Sequence, residues 1–512
     1  MTRNGADLVV QTLAENGVRM CFANPGTTEM HMLAALGREP RMDLSLCLFE
    51  GVATGAADGY ARMMGTPAAV LLHLGPGFAN GMANLHNARK AETQVFNIVG
   101  EHATYHLTYD APLTADIAGM AHTVSAAVAT PDTPEAAAGA TAHLLAETSH
   151  GGVATLIVPN DVAWAETDAE TVAAIHTPRP GFDADLLADA AARLRAPGAA
   201  LIVGAPCITR RMAELAAAIE ASTGAMVRAE AAVARMERGG GTPPMTRVPF
   251  HVDFATEALK DIRTAVLVGA REPVAFFAYP GRPSRLLAEG AECLPLCAPG
   301  ADAEAALEAL ADLLGARVTG HTQTPATPAE PDAAINAEVL GRTVAHALPE
   351  GAIVVDESIT NGLSLFPMCG EGPAHDWLNN RGGSIGYSLP VALGAATACP
   401  DRPVFCITGD GSAFYTLQAL WTMARDARDV TVMILANRSY KILANETAKI
   451  GAGEATEATG PLMSLEDPAP DWVKLSEGQG VPARRAGTAA ELTEALAWAQ
   501  GEAGPHLIEV TM

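Results

Sequence analysis

Aromatic side chains are scarce in this chain: Phe, Trp and Tyr make up 5% of its 512 residues. Basic residues are scarce too, with 33 Lys and Arg against 58 Asp and Glu, a formal charge of −25. That balance argues against a nucleic acid or an anionic membrane as partner, because both require a positive face. It leaves small substrates open, since a local site can oppose the overall sign. The eight Cys are scattered, no C-x-x-C pair occurs, and Cys293 and Cys297 are spaced C-x3-C with no His beside them. Thiols placed this way read as buried, reduced side chains of a cytoplasmic protein. No run of about 18 uncharged apolar residues occurs, so no membrane-spanning helix is expected. The start, "MTRNGADLVVQTLAENGV", lacks a basic stretch followed by an apolar one and is not expected to be a secretion signal.

Small and apolar residues are abundant. The chain is 49% apolar, with 48 Gly and 34 Pro, a composition that suits a globular α/β protein with a large core. Its length favours two to four domains. Apolar runs of strand length alternate with helix-periodic segments throughout, which predicts parallel sheets. "RMCFANPG", "LSLCLFE", "AAVLLHLGPG", "TQVFNIVGE" and "VATLIVPND" read as strands of a first unit, the third ending in a glycine turn. A polar, Pro-bearing stretch at 164–182 reads as a linker, and the Thr/Pro-rich 319–334 as a second. The expectation is therefore three α/β domains, each a doubly wound, mostly parallel sheet, at 1–165, 183–318 and 335–512, with the outer two built alike.

Two polar residues sit where a core has no use for them. "PVFCIT" is a continuous apolar run of the kind found in a central parallel strand, and it stops at Gly409-Asp410-Gly411. "DVTVMIL" is the next such run and ends at Ala436-Asn437. Asp410 and Asn437 are thus expected just past the carboxyl ends of two strands joined by one crossover, where open α/β sheets bind ligands. A carboxylate with an amide oxygen suits Mg²⁺, which takes few protein ligands and completes its octahedron with phosphate and water. Gly411 permits close backbone approach to a phosphate at a helix N-terminus. The plainer alternative is an Asp N-cap followed, unrelatedly, by an Asn that ends a strand.

The segment "GDGS…ILANRSY" resembles the signature of thiamin-diphosphate-dependent enzymes. That resemblance implies thiamin diphosphate and Mg²⁺ as cofactors, with Asp410, Asn437 and the carbonyl of Ser439 as metal ligands. The chain departs from the pattern at Ala436, where a first Asn is usual. "EGVATGAADGYAR" resembles the pyrimidine-domain motif of the same family, and by that likeness Glu50 shares a proton with the cofactor's aminopyrimidine ring. On its own, Glu50 reads as a surface acid near a helix N-terminus. In "NNRGGSIGYSLPVALGAA" the resemblance makes Ile385 the wedge between the two cofactor rings and Gly383 the carbonyl that accepts from the amino group. Ser358, Thr360, Gly411, Ser412 and Tyr440 fall where the family holds the diphosphate.

The likeness covers nearly the whole chain, in the order pyrimidine-binding, central and diphosphate-binding domain shared by acetolactate synthases, pyruvate oxidases and benzoylformate decarboxylases. It implies cleavage of a 2-oxo acid through a thiazolium enamine that is then protonated, or trapped by a second carbonyl compound as in acetolactate synthase. It implies a homodimer or homotetramer whose active sites lie at subunit interfaces. "FANPGTTE" and "LLHLGPGFANGMANL" most resemble benzoylformate decarboxylase and acetolactate-synthase-like proteins, a likeness that places Thr27, His73 and Asn80 with Glu50 among the catalytic residues.

Three features depart from those relatives. No second active-site His is found in the central segment, where "REPVAFFAYPG" offers Phe276 and Phe277. Phe49 precedes the catalytic acid where acetolactate synthases carry His. No flavin segment stands out, so FAD is not expected. His102 and His106 lie at i, i+4 without a third ligand, which does not make a zinc site. A nicotinamide reading fails because "GPGFANG" misses the G-x-G-x-x-G spacing.

Overall fold

A computed structural model describes residues 3–512. The first six strands are β1 (Met20–Asn24), β2 (Asp43–Leu46), β3 (Ala68–Leu72), β4 (Val95–Glu101), β5 (Ala127–Ala129) and β6 (Val153–Pro159). They form one parallel sheet in the order β2-β1-β3-β4-β6-β5. Every residue of β3, β4 and β6 is buried. Helices cover both faces of such a sheet, so its inner strands are apolar without alternation.

The middle of the chain adds β7 (Ala199–Val203), β8 (Cys207–Ile208), β9 (Met226–Ala229), β10 (Arg235–Arg238), β11 (Thr264–Val268) and β12 (Glu292–Cys297). The last part adds β13 (Ala352–Glu357), β14 (His375–Asn379), β15 (Val404–Gly409), β16 (Val430–Ala436), β17 (Ala483–Ala486) and β18 (His506–Thr511). The fold is α/β with three domains built on mostly parallel sheets. The central domain does not keep all its strands. Four form the parallel sheet β12-β11-β7-β9, while β8 and β10 extend the C-terminal sheet, β17-β18-β16-β15-β13-β14-β10-β8. The joint is antiparallel, Arg235 to Arg238 opposite Leu378 to His375.

Both outer sheets reverse direction after their first crossover. In the first, the chain steps from β1 out to β2 and then back across to β3; in the last, from β13 out to β14 and back to β15. Loops leaving β1 and β3, and those leaving β13 and β15, therefore diverge and open a crevice at the strands' carboxyl ends. Residues 167–183 carry no helix or strand.

The outer domains pack directly on each other. The helix Glu50–Met64 crosses the helix Ser388–Ala398 so closely that a Cβ on Gly394 would collide with the Ala56 carbonyl, and one on Gly59 with that of Val391. Beside this crossing lies an ion pair, Arg62–Asp58 at 2.7 Å, with side chains 2% and 1% exposed. Arg62 also donates to the carbonyls of Ala234 and Asn379 and to the Tyr387 hydroxyl, so one guanidinium touches all three domains. All eight Cys are free; five are buried and Cys207, Cys293 and Cys399 are partly exposed. Among the described residues no helix is long and apolar enough to cross a membrane.

Candidate active site

The N-terminal crevice collects acids and a histidine. Asn24 of β1 lies in register with Leu72 of β3, so the residues after each strand are neighbours. Gly26 follows β1 and His73 follows β3, and a Cβ on Gly26 would collide with the His73 ring. Leu74, next to His73, is a buried non-glycine residue at φ 51°. A side chain held in this left-handed region costs about 1–3 kcal/mol and persists only where its surroundings demand it. Glu50 opens the helix Glu50–Met64, whose N-terminus favours a negative charge. Asn80 donates to Glu50 Oε2 at 3.0 Å. A Cβ on Gly77 would stand 3.3 Å from Glu50 Oε1 and 3.4 Å from His73 Cβ, so the glycine marks where these two side chains converge.

Thr27 and Thr28 differ in their surroundings. Thr27 is exposed and begins a 3-10 turn, Thr27–Glu29. Thr28 Oγ lies 3.2 Å from His73 Nδ1, and the buried Glu29 carboxylate 2.8 Å from the same nitrogen. Neither Thr28 nor Glu29 is marked by sequence patterning, because their partner arrives from a strand 44 positions away. The His102 and His106 rings are 5.3 Å apart. Burial lowers the His102 pKa, helped by the neighbouring His106 and His73.

The C-terminal crevice holds the Asp410 and Asn437 pair. Gly409 of β15 lies opposite Leu435 of β16, which brings the two strand ends level. Asp410 is 2% exposed; Gly411 N–H donates to its Oδ1 at 2.8 Å and Arg438 N–H to its Oδ2 at 2.6 Å. Burial raises its carboxyl pKa against these hydrogen bonds. Asn437 Oδ1 accepts from Ser439 N–H at 3.0 Å. The Tyr440 ring lies against Gly411, where a Cβ would be 2.5 Å from Cε1. Ser412 is buried beside them. Ser358 is buried and bonds Asp356, whereas Thr360 is partly exposed after Ile359, another non-glycine at positive φ (48°). Arg438, at φ 54°, is the third such residue beside the candidate groups.

The loop 380–386 is held from the N-terminal domain. Asn87 donates to the Ser384 carbonyl at 2.9 Å and accepts from its N–H at 3.1 Å, and His86 Nε2 meets the Gly382 carbonyl at 3.1 Å. Asn84 donates to Gly51 and Gly386 carbonyls at 2.8 and 3.3 Å, tying the Glu50 helix to this loop. Gly383 has φ 82°, and a Cβ there would be 2.5 Å from Phe276 Cζ. Ile385 is partly buried. Phe276 and Phe277 stack edge to face at 4.7 Å between centroids, beside Gly383. The helix behind the loop is capped by a remote acid: Glu357, at the end of β13, accepts from the N–H groups of Tyr387 and Ser388 and from the Ser388 hydroxyl.

A cofactor with a metal-bound diphosphate suits this donor set. Among the described residues no cluster of three or more His, Cys, Asp or Glu side chains could hold a metal; one carboxylate with neutral oxygens is a Mg²⁺-type arrangement in which phosphate supplies the remaining ligands. Beside it, a Cβ on Gly409 would meet open space. A separate cleft of about 460 Å³ is lined by Arg89, Lys90, Arg271 and Arg381 with Glu230 and Glu272. Arg381 is paired there with Glu230, and Arg271 with Glu92; none of the residues singled out above lines it.

Comparison with known proteins places these crevices in context. Residues 3–124 match the model of the thiamine pyrophosphate enzyme N-terminal TPP binding domain, and 366–510 that of the C-terminal TPP binding domain. The chain is 45% identical to the Mycobacterium tuberculosis protein IlvX, named after the acetolactate synthase large subunit, over 99% of each chain. It is 29% identical to benzoylformate decarboxylase of Pseudomonas aeruginosa, covering 98% of this chain and 97% of that one. The fold superposes on the 4-hydroxybenzoylformate decarboxylase of Rhodococcus jostii with a TM-score of 0.86 at 23% identity, over 100% of this chain and 99% of that one.

Proposed function

Because the chain belongs to the thiamine pyrophosphate enzymes, we propose that it cleaves a 2-oxo acid between its carboxylate and its keto carbon, releasing CO₂. The observation that carries this reading is Glu50, held by Asn80 and converging with His73 at a strand-end crevice. Bound thiamin diphosphate supplies a carbon nucleophile for the keto group and a sink for the electron pair left by CO₂. Asp410, the Asn437 amide oxygen and the Ser439 carbonyl hold Mg²⁺, and with it the diphosphate. Gly411, Ser412, Ser358, Thr360 and Tyr440 enclose the diphosphate, and Gly383 and Ile385 seat the rings.

Glu50 exchanges a proton with the aminopyrimidine, and Asn80 keeps its carboxylate in place. His73, with Thr27 at the same strand-end loop, orients the substrate carboxylate and moves a proton at the former keto carbon. Phe276 and Phe277 give the pocket an apolar wall. The enzyme works as a homodimer or homotetramer, with Glu50 of one subunit and Asp410 of another serving one cofactor. The exposed Leu44 and Leu48 just before Glu50 support such an interface. A cytoplasmic setting suits its free thiols.

A second reading is carboligation of the acetolactate-synthase type, in which a second 2-oxo acid or aldehyde replaces the proton as acceptor. The 45% identity to IlvX favours it, and Phe49, where a His is usual, counts against it. Purified protein with thiamin diphosphate and Mg²⁺, given a panel of 2-oxo acids, decides. Aldehyde with CO₂ supports the first reading, a ketol the second, and no turnover of any acid overturns both.

A further inference from the structure

Glu29 is a carboxylate without a lysine or arginine partner among the described residues, yet its side chain is 0% exposed. Burying such a charge is costly unless donors converge on it. Three do. Gly26 N–H donates to Oε2 at 2.8 Å, Thr28 Oγ–H donates to Oε1 at 2.5 Å, and His73 Nδ1 lies 2.8 Å from Oε2. The chamber is built around this carboxylate: a Cβ on Gly100 of β4 would collide with Oε1, and one on Gly26 with the His73 ring.

The direction of the third bond follows from proton count. An ionised carboxylate only accepts, so His73 Nδ1 carries the hydrogen. The Thr28 hydroxyl proton is already committed to Oε1, so that oxygen can only accept in its 3.2 Å contact with Nδ1. Neutral His73 therefore keeps its lone pair on Nε2. The other titratable groups around His73 are Glu50, from the helix after β2, and His102 and His106, from the segment after β4. None of the three is hydrogen-bonded to the ring, which leaves Glu29 as the group that dictates its tautomer.

We infer that Glu29 is a positioning residue: it holds His73 in the Nδ1–H tautomer and so makes Nε2 the nitrogen that works on the substrate. The assignment to substrate rests on the role of His73 given above; the tautomer itself does not.

The test uses full-length protein labelled with ¹⁵N-histidine, with His73 identified by its loss from the spectrum of His73→Gln. Two-bond ¹H–¹⁵N correlations in the wild type, without and with thiamin diphosphate and Mg²⁺, are expected to show the Nδ1–H form. An Nε2–H form, or an even mixture, would overturn the inference, and this reading needs no variant to fold. In Glu29→Leu the acceptor for Nδ1–H is gone, and the Thr28 hydroxyl, 3.2 Å from Nδ1, is free to donate to it, which moves the proton to Nε2. The expected results are a switched or mixed spectrum and a fall in kcat of about 10²-fold or more, with partial recovery in Glu29→Asp. Glu29→Gln, whose amide oxygen still accepts from Gly26 N–H and Nδ1–H, keeps the wild-type tautomer. A folded Glu29→Leu with wild-type spectrum and kcat sinks the proposal. A panel of 2-oxo acids without turnover would sink the proposed reaction while leaving the Nδ1–H result standing.

Discussion

Asn80 reaches across from the helix after β3 to hold Glu50 at 3.0 Å, so the acid that opens one helix is steadied by the second turn of another. Replacing Glu50 with Gln keeps the shape but removes the exchangeable charge. Steady-state kcat is expected to fall by about 10²–10⁴-fold, and isotope exchange at the cofactor's C2 to slow in step, while cofactor still binds. Asn80→Ala should cost about tenfold, the value of roughly one charge-assisted hydrogen bond. Equal exchange rates in wild type and Glu50→Gln would remove Glu50 from the chemistry.

Asp410 supplies the one carboxylate of the proposed Mg²⁺ site. Asp410→Ala and Asn437→Ala are each expected to raise the Kd for thiamin diphosphate by about 10²-fold or more in the presence of Mg²⁺, read by titration calorimetry. Chelation by EDTA should release cofactor from the wild type. Tight binding that survives EDTA would show that the diphosphate needs no cation here.

The Arg62–Asp58 pair joins the three domains from inside. Asp58→Asn leaves a buried guanidinium without its counter-charge, and a loss of about 3–5 kcal/mol is expected in chemical denaturation. Asp58→Leu combined with Arg62→Met should recover part of that loss. A single variant as stable as the wild type would mean that water reaches Arg62.

His375 on β14 titrates far from its ordinary range. Burial, reinforced by the nearby Arg238 charge, pushes its pKa down to about 4, against the bond it makes to the Pro373 carbonyl. The unfolded chain binds this proton near pH 6.5 and the folded one only near 4, so the stability it contributes is present above pH 6.5 and is lost as pH falls towards 4. The slope for this one group is about 1.4 kcal/mol per pH unit. The stability of wild type relative to His375→Gln should fall steadily as pH drops from 7 to 4.5.

The residues legible in the sequence were those that interrupt apolar runs. Asp410 and Asn437 each follow a buried strand, Glu50 follows the short edge strand β2, and strand ends in a parallel sheet face the crevice. Glu29, Thr28, Asn87 and Glu357 were not legible, because each earns its position from a partner on a distant strand or loop, and local periodicity carries no trace of that. Gly75-Pro76-Gly77 was expected as a turn after β3. It instead forms the first turn of the helix Leu74–Ala91, where Pro loses no hydrogen bond, and Leu74 takes the strained backbone angle. The segment 414–427 has apolar residues at helical spacing, but the helix there covers only Ala419–Arg425; Thr416, in the gap after Ala413, bonds the Gly386 carbonyl at 3.0 Å. Strand β8 is too short, and β10 too charged, to announce which sheet they join.

That antiparallel seam between β10 and β14 makes the middle module a poor candidate for transplantation. A hybrid that grafts residues 183–318 from a relative must bring an edge able to zip onto His375–Asn379, or expose a raw sheet margin. By the same logic, a protease that nicks 319–334 should yield two polypeptides that still elute together.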